Sequence, residues 1–110
     1  MIKSIAVAYR KPGMSVEEFR DYWKNVHAPL AKRVIPGMRK YVQNYIIKTP
    51  GREDEADGIV EMWWDDIEAF RHFSAWVQTD AGKELRDDGD NFSDMTKSKM
   101  WLAEEYVVKA

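Results

Sequence analysis

The chain has 110 residues, 45% apolar and 33% charged, with five tryptophans, no cysteine and a formal net charge of −2. That suffices for one domain over residues 1–110 with a real core, and it excludes a disulfide scaffold, thiolate metal sites and a cysteine nucleophile. Lysines and arginines are scattered among acids, leaving no electrostatic footprint for nucleic acid; with no apolar run long enough for a signal peptide or a membrane span, the cytoplasm is the expected compartment.

Residues 2–10 alternate as a strand, with Ile5, Val7 and Tyr9 on one face and Ser4, Ala6 and Ala8 on the other. Lys11-Pro12-Gly13 is a turn, after which an amphipathic helix begins. Ser15 and Glu18 have capping-box spacing, and Met14 with Phe19 has that of a hydrophobic staple. At about 100° per residue, Phe19, Tyr22, Trp23, Val26 and Leu30 share a stripe, and His27 lies about 70° from its centre. Pro29 lacks the N–H that would bond the Asn25 carbonyl and biases Ala28 away from helical angles. The helix is therefore expected to end or kink near His27, with Pro29 opening a second short turn. An imidazole beside an apolar wall and a helix C-terminus, where free carbonyls favour its protonated form, is an acid–base candidate; the alternative is a packed or capping histidine.

Ile35-Pro36-Gly37 breaks the chain, and residues 38–48 form a β-prone run with Tyr41, Gln43, Tyr45 and Ile47 on one side. Residues 49–57 read as a solvated charged loop, and 58–64 as a third strand with Ile59, Glu61 and Trp63 against Val60, Met62 and Trp64. Asp65 and Glu68 repeat the capping spacing ahead of a helix that buries Phe70, Phe73, Trp76 and Val77, with His72 toward water. A capped turn follows from Thr79 to Leu85. Asp87-Asp88-Gly89-Asp90-Asn91 has the look of a calcium loop but lacks the bidentate acid and misplaces its glycine, so it reads as an acidic surface loop. Residues 100–108 are the last strand.

Strand, helix, strand, strand, helix, strand is the ferredoxin-like βαββαβ plan, an α+β fold with a four-stranded antiparallel sheet. Two helices cover only one sheet face, yet Trp63 with Trp64 and Met100 with Trp101 place apolar groups on both. A second copy of the same sheet is the simplest cover for the other face, which predicts a homodimer.

The run Tyr9-Arg10-Lys11-Pro12-Gly13, with Phe19, Trp23, His27-Ala28-Pro29 and then Pro36-Gly37 and Tyr41, resembles the EthD family of the dimeric α+β barrel superfamily. The resemblance implies a homodimeric barrel of two sheets with helices outside, and a pocket in each protomer between helices and sheet. It implies a function for His27 at the matching motif position, with Tyr9 and Arg10 approaching the same pocket. Relatives include cofactor-independent lactone isomerases, polyketide decarboxylases and dehydratases, and accessory proteins without assigned chemistry.

The leading expectation is a cofactor-free isomerase or lyase acting on a hydrophobic cyclic or aromatic metabolite. Phe19, Trp23, Tyr41 and Trp63 would hold the ring and Arg10 would help to bind it. His27 would move a proton while Tyr9, Tyr41 or Tyr45 held a carbonyl or enolate oxygen. A non-catalytic accessory or small-molecule-binding protein explains the same aromatics. A haem protein with His27 as axial ligand is third. Two histidines on separate helices give no metal-ligand spacing, and no serine sits in an elbow motif.

Overall fold

The computed structural model describes residues 1–110. Four strands, β1 (Ile2–Ala8), β2 (Lys40–Tyr45), β3 (Gly58–Trp64) and β4 (Lys99–Glu104), form one antiparallel sheet in the order β2-β3-β1-β4. The helices are α1 (Val16–Tyr22), α2 (Ala28–Val34), α3 (Ile67–Trp76) and α4 (Lys83–Phe92), with a 3₁₀ turn at Asp80–Gly82. This is the expected ferredoxin-like α+β architecture. Residues 38–48 and 100–108 form shorter strands than their alternation suggests, and Tyr106, Val107 and Val108 stand exposed beyond β4.

Register decides what each sheet face carries. Ser4 stands opposite Met62 and Ile2 opposite Trp64, so Ser4, Ala6 and Ala8 share the helix-facing side with Val60, Met62 and Trp64. The small residues of β1 leave room for the large ones of β3. Trp64 is fully buried, and its indole N–H donates to the Ser4 hydroxyl at 3.1 Å. Leu30, Ala31, Ile35, Phe70 and Leu85 pack around it. A second cluster, Phe19, Trp23 and Phe92, lies against Ala8, Tyr45 and Val60. The opposite face carries Lys3, Ile5, Val7, Ile59, Glu61 and Trp63, with no helix over it.

The first helix starts as its sequence dictates. Ser15 accepts from the Glu18 N–H and Glu18 from the Ser15 N–H, and Met14 packs against the Phe19 cluster. It does not end at His27. Trp23–His27 form a π-helical turn, in which the Ala28 N–H bonds the Trp23 carbonyl five residues back, and α2 continues directly. Ala28 keeps helical angles despite preceding proline. The wide turn takes in one extra residue, which accommodates a ring with no N–H to give. It also changes which side chains face the core: Val26, expected on the buried stripe, is 46% exposed, while Ala31 is buried.

Three further expectations are corrected. The α3 N-cap is Asp66, which accepts from the Ala69 N–H, while Asp65 pairs with Arg39. The end of the 49–57 loop is not solvated: Asp57 is 5% exposed and accepts from the Arg10 N–H at 2.8 Å, with Lys48 at 3.0 Å. The acidic stretch around Asp88 belongs to α4, whose buried face is Leu85, Gly89 and Phe92. Its glycine and acids look like a loop, but the burial follows helical spacing.

Candidate active site

The π turn and α4 bring together a polar group that the sequence hides. His27 Nδ1 lies 2.8 Å from Asp88 Oδ2, and the two side chains are 14% and 12% exposed. The Tyr22 hydroxyl donates to Asp88 Oδ1 at 2.5 Å, and Asn91 Nδ2 reaches the same oxygen at 3.4 Å and the Tyr22 hydroxyl at 3.2 Å. The imidazole leans on Phe92 with ring centres 4.8 Å apart, and Tyr22 stacks on that same ring at 5.4 Å.

Charges follow from these contacts. Burial pushes the Asp88 carboxyl up, but hydrogen bonds from Tyr22, His27 and Asn91 together outweigh it and hold the group below its ordinary range. Burial likewise pushes the His27 imidazolium down, and Asp88 only partly opposes it. An ionised Asp88 can only accept, so the network assigns the imidazole proton to Nδ1 and leaves Nε2 with its lone pair. A neutral imidazole oriented by a buried carboxylate is a general base. This reverses the charge expected from a helix C-terminus: the helix runs on into α2, and burial of the imidazole outweighs the pull of Asp88.

Beneath the turn, Gln43 on β2 donates to the Trp23 carbonyl at 3.0 Å and to the Tyr41 hydroxyl at 3.2 Å, while its own oxygen accepts from Tyr45 at 2.7 Å. Burial raises the Tyr41 phenol, with the Gln43 amide pulling the other way. Phe19 and Trp23 are core residues in close aromatic contact, filling the space between helix and sheet. Trp63 is not with them: it lies on the far sheet face between the ammonium groups of Lys3 and Lys40, at 5.3 and 4.7 Å from its ring. A strand sends neighbouring side chains to opposite faces, so only one of Trp63 and Trp64 can look toward the helices.

Tyr9 and Arg10 are also apart from His27. They line a charged cleft of about 560 Å³ at the end of β1, where Arg10 is held by Asp57 and Lys97 lies over the Tyr9 ring. A cleft of about 460 Å³ between α2 and α4 has Val26, Pro29 and Leu30 on one side and Asp88 and Asn91 on the other; it meets the network at Asp88 and Asn91, and His27 is not part of its lining. Asp88, Asn91 and Tyr22 are the residues missed from sequence. The signal for the first two was the Leu85, Gly89, Phe92 spacing that makes their segment a helix. No helix is long and apolar enough to cross a membrane.

The four-stranded sheet with helices on one face is the fold of ferredoxin-like α+β barrel proteins. SnoaB, a cofactor-independent oxygenase from Streptomyces nogalater, shares it with a TM-score of 0.60 at 14% identity, over 98% of this chain and 97% of its own. An EthD family protein of Bacillus halodurans matches more closely, with a TM-score of 0.71 and 27% identity over 96% of this chain and all of that one. The EthD domain model matches residues 11–96, and the chain belongs to the EthD family. Among characterised proteins it resembles the decarboxylase claH of Passalora fulva, 26% identical over 92% of this chain and 75% of that protein.

Proposed function

We propose that this protein is a cofactor-independent enzyme that moves a proton on a hydrophobic cyclic or aromatic metabolite, in a reaction of lyase or isomerase type. The observation that carries this reading is the 2.8 Å contact between His27 Nδ1 and a buried, ionised Asp88. It leaves Nε2 as a base at neutral pH, the group that dehydration and double-bond migration need to take a proton from carbon. In a decarboxylation Nε2 would first take up a proton, from a substrate hydroxyl or from water, and then return it to the carbon that loses CO2. The likeness to a decarboxylase favours the lyase branch. The cleft between α2 and α4, with its apolar Val26, Pro29 and Leu30, is the approach from solvent to the group around Asp88.

The active form is a homodimer. Ile5, Val7, Ile59 and Trp63 on the uncovered face, together with the half-exposed Trp101, make an apolar surface that a second copy would bury. Sedimentation at micromolar concentration should give a dimer, and a stable monomer would refute that assembly.

His27→Asn keeps a polar group of similar reach but removes the base, and should lower turnover about 100-fold or more on aromatic hydroxy acids or lactones screened by mass spectrometry. Retained turnover by a folded variant would refute the role. A second reading is an accessory or binding protein: Phe19, Trp23 and Phe92 fill the space between helix and sheet, so an aromatic ligand would sit in the cleft between α2 and α4, whose lining does not include His27. That reading expects an aromatic ligand to be bound and recovered unchanged.

A further inference from the structure

Tyr22 and His27 are five residues apart, which in an ordinary α-helix places their side chains about 140° from one another. Here both reach the same carboxylate, Tyr22 at Oδ1 and His27 at Oδ2 of Asp88. The π turn from Trp23 to His27 makes this possible, because its hydrogen bonds span five residues and stack the fifth side chain near the first. The Phe92 ring packs against both the phenol and the imidazole, supporting the two rings from one side. The arrangement thus uses a locally unusual backbone to bring a second donor to the acid that orients the imidazole.

We propose that Tyr22 is a positioning residue for the His27–Asp88 pair: its hydroxyl occupies Oδ1, so Asp88 faces the imidazole through Oδ2 alone and holds it with Nε2 free. The hydroxyl also draws negative charge away from the oxygen that meets His27, which keeps the imidazole a neutral base rather than an imidazolium locked in an ion pair. The charged and titratable groups around this site are few. Asp88 and Tyr22 are in the network itself; Glu84 and Asp87 of α4 and Arg33 of α2 line the adjoining cleft, and Tyr45 of β2 lies across the Trp23 side. None of these others is in hydrogen-bond contact with His27, so Tyr22 acts on the imidazole through Asp88. The consequence for turnover rests on His27 being the base; the positioning itself does not.

The chain has two histidines, and His72 is exposed on α3, so it serves as an internal reference. The full chain labelled with ¹⁵N-histidine is titrated by NMR as wild type, Tyr22→Phe, Asn91→Ala and Asp88→Asn. The wild-type His27 should show a protonated Nδ1 and a free Nε2 at neutral pH. Tyr22→Phe retains the ring on Phe92 and should raise the His27 midpoint by about half a unit or more, with His72 unmoved. Asn91→Ala removes the longer contact to Oδ1 and should move it the same way by less. Asp88→Asn should move it down. A His27 midpoint that stays put or falls in Tyr22→Phe overturns the proposal. An inactive wild type with the expected shifts would instead overturn the enzymatic reading and leave the positioning role standing.

Discussion

Gly58→Ala tests whether the helix and sheet meet as closely as described. A Cβ at Gly58 would lie 2.5 and 2.8 Å from the outer atoms of the Trp23 indole and 3.2 Å from the Asn44 carbonyl. No side chain tolerates the first two distances, so the indole must move, and it is packed against Phe19, Tyr45 and Phe92. Overpacking of this kind costs about 1–3 kcal/mol. Replacing glycine by alanine within a strand returns roughly 0.5–1 kcal/mol by itself, because the unfolded chain is less free. The net loss should be about 1–2 kcal/mol, a fall of roughly 1 M in the urea midpoint. In a Trp23→Phe background the clashing atoms are absent, and the same Gly58→Ala change should be near neutral, a coupling of at least about 1 kcal/mol. Equal effects of Gly58→Ala in both backgrounds, or no effect in wild type, would refute the packing.

Ser4→Ala leaves the buried Trp64 indole N–H without its acceptor, and should cost about 1–3 kcal/mol by urea unfolding with the fold retained in circular dichroism. Stability should also fall on mild acidification. His27 takes up a proton less readily folded than unfolded, so the unfolded chain binds more protons between the lowered folded value and about 6.5, and stability is lost as pH drops through that window. Asp88 adds a further loss at lower pH, where the folded state resists protonation of its carboxylate. His27→Gln should flatten the upper part of the profile measured by thermal melts, and an unchanged slope there would refute the assignment.

The architecture was legible because its signals are local and redundant. Strand alternation at Ser4, Ala6 and Ala8, the capping box at Ser15 and the turn residues at 11–13 each specify their own segment, and the observed register agrees with them. The site was legible only in its central residue. His27 could be singled out, but its partner is 61 positions away on a helix whose acids and glycine read as a loop. The π turn defeated helical counting at the place where it mattered, turning Val26 outward and aligning Tyr22 with His27. The aromatic lining failed for a different reason. Periodicity pairs residues on one element, but it does not say which face of β3 the helices cover, so Trp63 and Trp64 could not be told apart before the cross-strand neighbours were known.

Pro29 gives the widened turn an unusual permanence. A helix carrying one surplus residue can normally slide back into the tighter winding, because each amide has a carbonyl waiting four positions behind it. At 29 that amide does not exist, so the slide lacks its first latch and the geometry is fixed by valence instead of by weak neighbours. Exchange for alanine is therefore expected to supply the missing latch and let the winding relax. Tyr22 and His27 would then part company although every group around Asp88 is still present. The loss would be seen as a His27 titration resembling that of a free imidazole, in a chain whose circular dichroism is no less helical than before.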